Sequence, residues 1–128
     1  MYALDTNTLI YFFKGQGQVA AHLLSRSPET IAVPAIVQYD IETGIVKSDD
    51  AKQRTRQFHD FLEIVTILPF DSKAALESAH IRADLERQGT PIGPYDILIA
   101  GTALTHDATL VTHNRREFSR VEHLNIED

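Results

Sequence analysis

The chain has 128 residues and a mass of 14.4 kDa, which suits a single domain spanning 1–128 with a real core, and its 43% hydrophobic and 23% charged content excludes disordered or collagen-like chains. The absence of cysteine removes disulfide scaffolds, zinc-thiolate sites, iron–sulfur clusters and thiol catalysis. A formal charge of −6 argues against gripping nucleic acid through a broadly basic surface, so any such role must be local.

In chain order, Tyr2-Ala3-Leu4 reads as a short buried strand ending at Asp5. Asn7 to Lys14 has helical spacing through Leu9, Ile10 and Phe13, and Gly15-Gln16-Gly17 interrupts it. Val19 to Ser25 predicts a second helix and Thr30 to Val33 a β-branched strand. Pro34 suits the first turn of a helix running to Lys47, and Asp49-Asp50 place carboxylates ahead of a helix from Ala51 to Ile64. Val65 to Leu68 predicts a strand, and Asp71-Ser72 caps a long helix, Lys73 to Gln88, closed by Gly89. A loop over Thr90 to Gly93 leads to a helix from Pro94 to Thr105. A strand at Ala108 to Val111 then runs into a polar loop, with a short last segment at Leu124 to Ile126. The longest apolar run, Ile31 to Val37, holds Pro34 and falls far short of the roughly twenty residues that span a bilayer. No basic stretch precedes an apolar one at the start, so the expectation is a cytoplasmic protein without membrane association. Alternating strands and helices imply an α/β fold with a mainly parallel sheet flanked by helices, and such sheets gather ligands at the carboxyl ends of their strands.

Acidic residues fall at those ends. Asp5 closes the first strand beside Thr6-Asn7-Thr8, where a site carboxylate and a plain helix N-cap are both open readings. In the helix after Pro34, 100° per residue puts Asp40 on the face of Ile36, Val37, Ile41, Gly44 and Ile45, and Glu42 nearly opposite. Asp40 must therefore find a partner, either a structural cation or a bound ion, whereas Glu42 reads as a solvated charge. Asp96 sits in the first turn of an apolar helix, as a dipole-complementing cap or as a ligand, and the following Ala100 and Gly101 leave room on that face. Thr112-His113-Asn114-Arg115-Arg116-Glu117-Phe118 follows the last strong strand, either as a polar loop or as the fourth side of the site. Carboxylates gathered at one edge raise one another's pKa unless a cation joins them, and an oxygen-only set favours Mg²⁺ or Mn²⁺ over zinc.

At these residues the chain resembles the PIN-domain ribonucleases, in particular the VapC toxins of bacterial toxin–antitoxin pairs. The carriers are Leu4-Asp5-Thr6-Asn7; Asp40-Ile41-Glu42-Thr43-Gly44; Gly93-Pro94-Tyr95-Asp96 with Ile99-Ala100-Gly101; and Leu110-Val111-Thr112 with Arg116-Glu117-Phe118. The family's second acid is normally Glu four residues before a glycine; here Asp40 stands there before Gly44. Asn114 stands where many members carry Asp, and Glu117 supplies the fourth charge in its place.

The resemblance implies a three-layer PIN-like fold and an Mg²⁺- or Mn²⁺-dependent endoribonuclease acting on structured RNA, a transfer RNA cut in a loop. Asp5, Asp40, Asp96 and Glu117 would be catalytic, the first three holding metal. Thr6, Asn7, Thr112 and Asn114 would orient them. Lys14, Arg115 and Arg116 are candidate phosphate contacts. A VapB-like antitoxin and a homodimer are implied as partners, and the aromatic-rich Leu9 to Phe13 stretch is a candidate for the dimer contact. Two other classes compete: an inactive PIN-like module that binds only the antitoxin, and an aspartyl-nucleophile phosphatase, for which Asn7 lacks the proton-donating acid.

Overall fold

A computed structural model describes residues 1–16 and 18–128 of the chain. Five strands, β1 (Tyr2–Leu4), β2 (Ile31–Pro34), β3 (Thr66–Leu68), β4 (Thr109–Val111) and β5 (Ile126–Glu127), form one sheet in the order β3-β2-β1-β4-β5. Every neighbouring pair is parallel, with Tyr2 beside Ile31, Leu4 beside Val111 and Leu110 beside Ile126. All four β2 residues and Ala3 and Leu4 of β1 are buried, which requires helices over both faces and gives the expected three layers.

The helices are α1 (Thr6–Lys14), α2 (Val19–Leu24), α3 (Ala35–Val46), α4 (Ala51–Ile64), α5 (Ser72–Arg87), α6 (Pro94–Thr105) and α7 (Arg115–Phe118). Gly15 ends α1 in a left-handed conformation, φ 65°, that glycine adopts without strain, whereas Gly17 of the same expected break lies outside the described residues. No helix among the described residues is long and apolar enough to cross a membrane.

Four expectations are corrected. Pro34 is the last residue of β2 and the N-cap of α3, not its first turn, because its extended backbone (ψ 142°) still belongs to the sheet. The expected polar loop after β4 contains α7, a single helical turn held by the wholly buried Phe118. The phenylalanines of α1 are half-buried against α4: Phe12 lies 5.4 Å from Phe61, and Phe13 lies 6.0 Å from Phe58 and 5.4 Å from Phe61. Their abundance therefore has a use within the chain and is not by itself the mark of a dimer contact. Nor does Gly101 leave room for a ligand: α5 packs on α6 so closely that a Cβ there would collide with Ser78 Oγ, and Ala100 is fully buried.

Candidate active site

The parallel sheet brings β1 and β4 side by side, so Asp5 and Thr112, each one residue beyond its strand, meet at the same edge. Thr112 Oγ1 donates to Asp5 Oδ2 at 2.5 Å while accepting the Asn114 backbone N–H at 2.9 Å. Asp5 Oδ1 accepts the Thr8 backbone N–H at 2.9 Å as the N-cap of α1. The two readings of Asp5 thus coexist: one oxygen caps the helix and the other is held by β4. Thr8, which the sequence reading passed over, adds a hydroxyl bond to the Val111 carbonyl at 3.1 Å and ties α1 to β4. Its signal was available, since it stands three residues after a capping Asp.

Asp40 enters from α3. Its Oδ2 accepts the Thr6 hydroxyl at 3.0 Å, and no arginine or lysine among the described residues pairs with it. Glu42 faces α4, where His59 Nε2 lies 2.9 Å from its Oε2 and Gln38 donates to it at 3.4 Å. It is therefore outside the site, as expected, but is held by a partner helix and not merely solvated. Asn114 donates its side-chain amide to Glu117 Oε2 at 3.1 Å, so the residue standing at an acidic position aims the acid three residues on. Asn7, by contrast, is exposed and makes no side-chain hydrogen bond among the described residues; Thr8 does the orienting expected of it.

Asp96, in the first turn of α6, is where the four acids meet electrostatically. Burial pushes its pKa up to about 6, and the nearby Glu117, Asp5 and Asp40 carboxylates add to the rise. Two half-exposed tyrosines flank the cluster, Tyr39 immediately before Asp40 and Tyr95 immediately before Asp96, with ring centroids 5.9 Å apart. The Tyr95 phenol is raised above its usual range by Tyr39 against it, by desolvation and by the Asp40 charge.

Lys14, Arg115 and Arg116 are all exposed. Lys14 lines a groove of about 380 Å³ that also holds Asp40, Gly44 and Arg54. A larger cavity of about 640 Å³, between α1, α2 and β5, contains none of the four acids, so size does not locate the chemistry here.

Among the described residues, no three of these groups are already closed up as ligands around one point. The donor set nonetheless fits a hard divalent cation. It is all oxygen, and its like charges stand within one another's field, which raises the Asp96 pKa.

The fold and this acidic edge define a PIN domain: the family model for "PIN domain" matches residues 2–124, and the chain belongs to that family. Within it the chain is similar to the VapC ribonucleases. It is 33% identical over 127 residues to the tRNA(fMet)-specific endonuclease VapC of Salmonella typhimurium, covering 99% of this chain and 96% of that one. It is 34% identical over 131 residues to Ribonuclease VapC2 of Rickettsia felis, covering 100% and 97%. Among solved structures, VapBC2 from Rickettsia felis bound to a promoter DNA fragment superposes with a TM-score of 0.90 at 34% identity, over 98% of this chain and 96% of that one. Membership of this family removes the phosphatase reading.

Proposed function

We propose that the chain is the toxin of a toxin–antitoxin pair and a Mg²⁺- or Mn²⁺-dependent endoribonuclease that cuts structured RNA, specifically a transfer RNA within a single-stranded loop. The observation that carries this reading is the convergence of Asp5, Asp40, Asp96 and Glu117 from four separate elements, crowded enough for Asp96 to keep its proton up to about pH 6. Asp5, Asp40 and Asp96 would hold the ion, with Glu117 completing the acidic edge. Bound there, the ion supplies an activated water at neutral pH and offsets charge on the reacting phosphate.

The chain's own contribution is placement. Thr112 and the Thr8 N–H fix both oxygens of Asp5, Thr6 fixes Asp40, and Asn114 aims Glu117. Asp40 is one methylene shorter than the Glu usual in the resembling family, and the Thr6 hydroxyl reaches this shorter side chain. Lys14, Arg115 and Arg116 are free to meet phosphates, and a loop substrate presents unstacked bases that a protein can read.

The partners we propose are a VapB-like antitoxin and a second copy of the chain, acting in the cytoplasm. The relatives solved as VapBC complexes support the first, and a charge of −6 suits a basic segment laid across the acids. Exposed Val46, Ile64 and Leu76 offer apolar surface to either.

The test is a denaturing gel of purified transfer RNA incubated with the protein in Mg²⁺, Mn²⁺ or EDTA. Discrete fragments are expected with either ion and none with EDTA. Asp96→Asn and Asp40→Asn should each cut about 100-fold more slowly or worse, and Glu42→Gln should cut normally. Absence of metal-dependent cleavage of any RNA would overturn the nuclease and leave the inactive module that binds only the antitoxin.

A further inference from the structure

We propose that Tyr39 and Tyr95 together form the stacking platform for an unpaired base of the RNA next to the phosphate held at the acids. This inference rests on the nuclease reading and adds to it where binding affinity and loop preference come from. Three observations carry it. First, the rings are 52% and 46% exposed, whereas the phenylalanines of α1 and α4 pack on one another, so this is the aromatic pair beside the acids that has been left facing outward.

Second, the rings are 5.9 Å apart and tilted by 48°, so they are not stacked face to face on each other. They come from two helices, α3 and α6, that pack together, and each directly precedes one of the acids, Asp40 and Asp96. A substrate with a phosphate at the carboxylates would bring its neighbouring base towards these rings, since each stands one residue from an acid. Third, a chain of charge −6 cannot draw RNA in by a general cationic field. Stacking requires no cation, tolerates any base, and is available only where bases are unpaired. The platform thus supplies affinity that the charge balance withholds, and it selects loops over duplexes.

The experiment uses single-stranded RNA oligonucleotides carrying 2-aminopurine, whose fluorescence changes on stacking, with Ca²⁺ present and with gels confirming that the RNA stays intact. The same proteins are then assayed for cleavage in Mg²⁺. Tyr39→Ala and Tyr95→Ala should each weaken binding about tenfold and abolish the fluorescence change, with the salt dependence of binding unaltered. In cleavage they should raise KM far more than they lower kcat. Tyr39→Phe and Tyr95→Phe should restore both readouts, and Ile67→Ala, which removes a comparably exposed apolar side chain from β3, should change neither.

Wild-type affinity in the alanine variants would overturn the proposal, as would phenylalanine variants as weak as alanine. So would failure of the wild-type protein to bind the oligonucleotide, or a change in sedimentation of the alanine variants with RNA affinity unchanged, which would make the pair a contact between copies of the chain. The two readings fail separately. Base stacking by a protein that cuts no RNA would overturn the nuclease alone, whereas cleavage with KM unmoved by both alanine substitutions would overturn the platform alone.

Discussion

Asp5 and Asp96 belong to one acidic edge but are built in opposite ways. Asp5 is 5% exposed, and both its oxygens are met by donors, the Thr8 N–H and the Thr112 hydroxyl. Asp96 is half-buried, faces Glu117, Asp5 and Asp40, and lies at a carboxyl pKa of about 6. One half of the site is organised by the protein's own hydrogen bonds; the other is held in like-charge strain that only a proton or a cation relieves. The difference separates what folding supplies from what a ligand must supply.

The sharpest way to break that contrast is stability without divalent ions. Asp5→Ala removes the cap of α1 and strands the fully buried Thr112 hydroxyl, and should cost about 2 kcal/mol, seen as a fall in Tm by thermal unfolding in EDTA at pH 7.5. A Tm unchanged by this substitution would show that Asp5 is not the organised half.

Next in size is Asn114→Ala, which leaves Glu117 without its amide partner. Cleavage should fall about tenfold with little change in Tm, since the residue orients an acid and does not build the core. Loss of fold along with activity would instead make Asn114 structural.

The smallest effect runs in the opposite direction. The Asp96 carboxyl titrates near 3.8 when unfolded and about 6 when folded, so between those values the folded chain holds more protons and its stability falls as pH rises. At pH 7.5 the full cost is present. A fully buried group shifted this far would cost about 3 kcal/mol, and the partial exposure of Asp96 reduces this to about 1 kcal/mol. Asp96→Asn should therefore raise Tm by a few degrees at pH 7.5 in EDTA and give no gain at pH 3.5, a pH profile that scanning calorimetry resolves. An equal gain at both pH values would remove the repulsion from the account.

The element order was legible because each element carries its own punctuation. Asp71 caps α5 through the Ala74 N–H, Pro94 opens α6, and β-branched or aliphatic runs mark β2 and β4. Asp40 was separated from Glu42 by helical phase alone, and Asp40 does meet Thr6 of α1 while Glu42 turns to α4. Helix α7 was hidden because its three charged positions look the same in a loop; what makes them a helical turn is Phe118, buried in the core. The Phe12 and Phe13 pair showed the same limit in reverse, since aromatic richness on α1 is a surface or a core depending on whether α4 covers it.

By itself, then, the sequence determined all the strands, every helix but α7, and which acids stand at strand ends, because periodicity, caps and short-range phase are local properties. Tertiary structure alone decided that Thr112 grips Asp5 across 107 positions, that Ser78 fills the space beside Gly101, and that two tyrosines from α3 and α6 face outward together. The physical reason is that partners at this range are chosen by the parallel pairing of β1 with β4 and by the packing of α6 against α5 and α3. Neither leaves a mark on the spacing of residues along the chain.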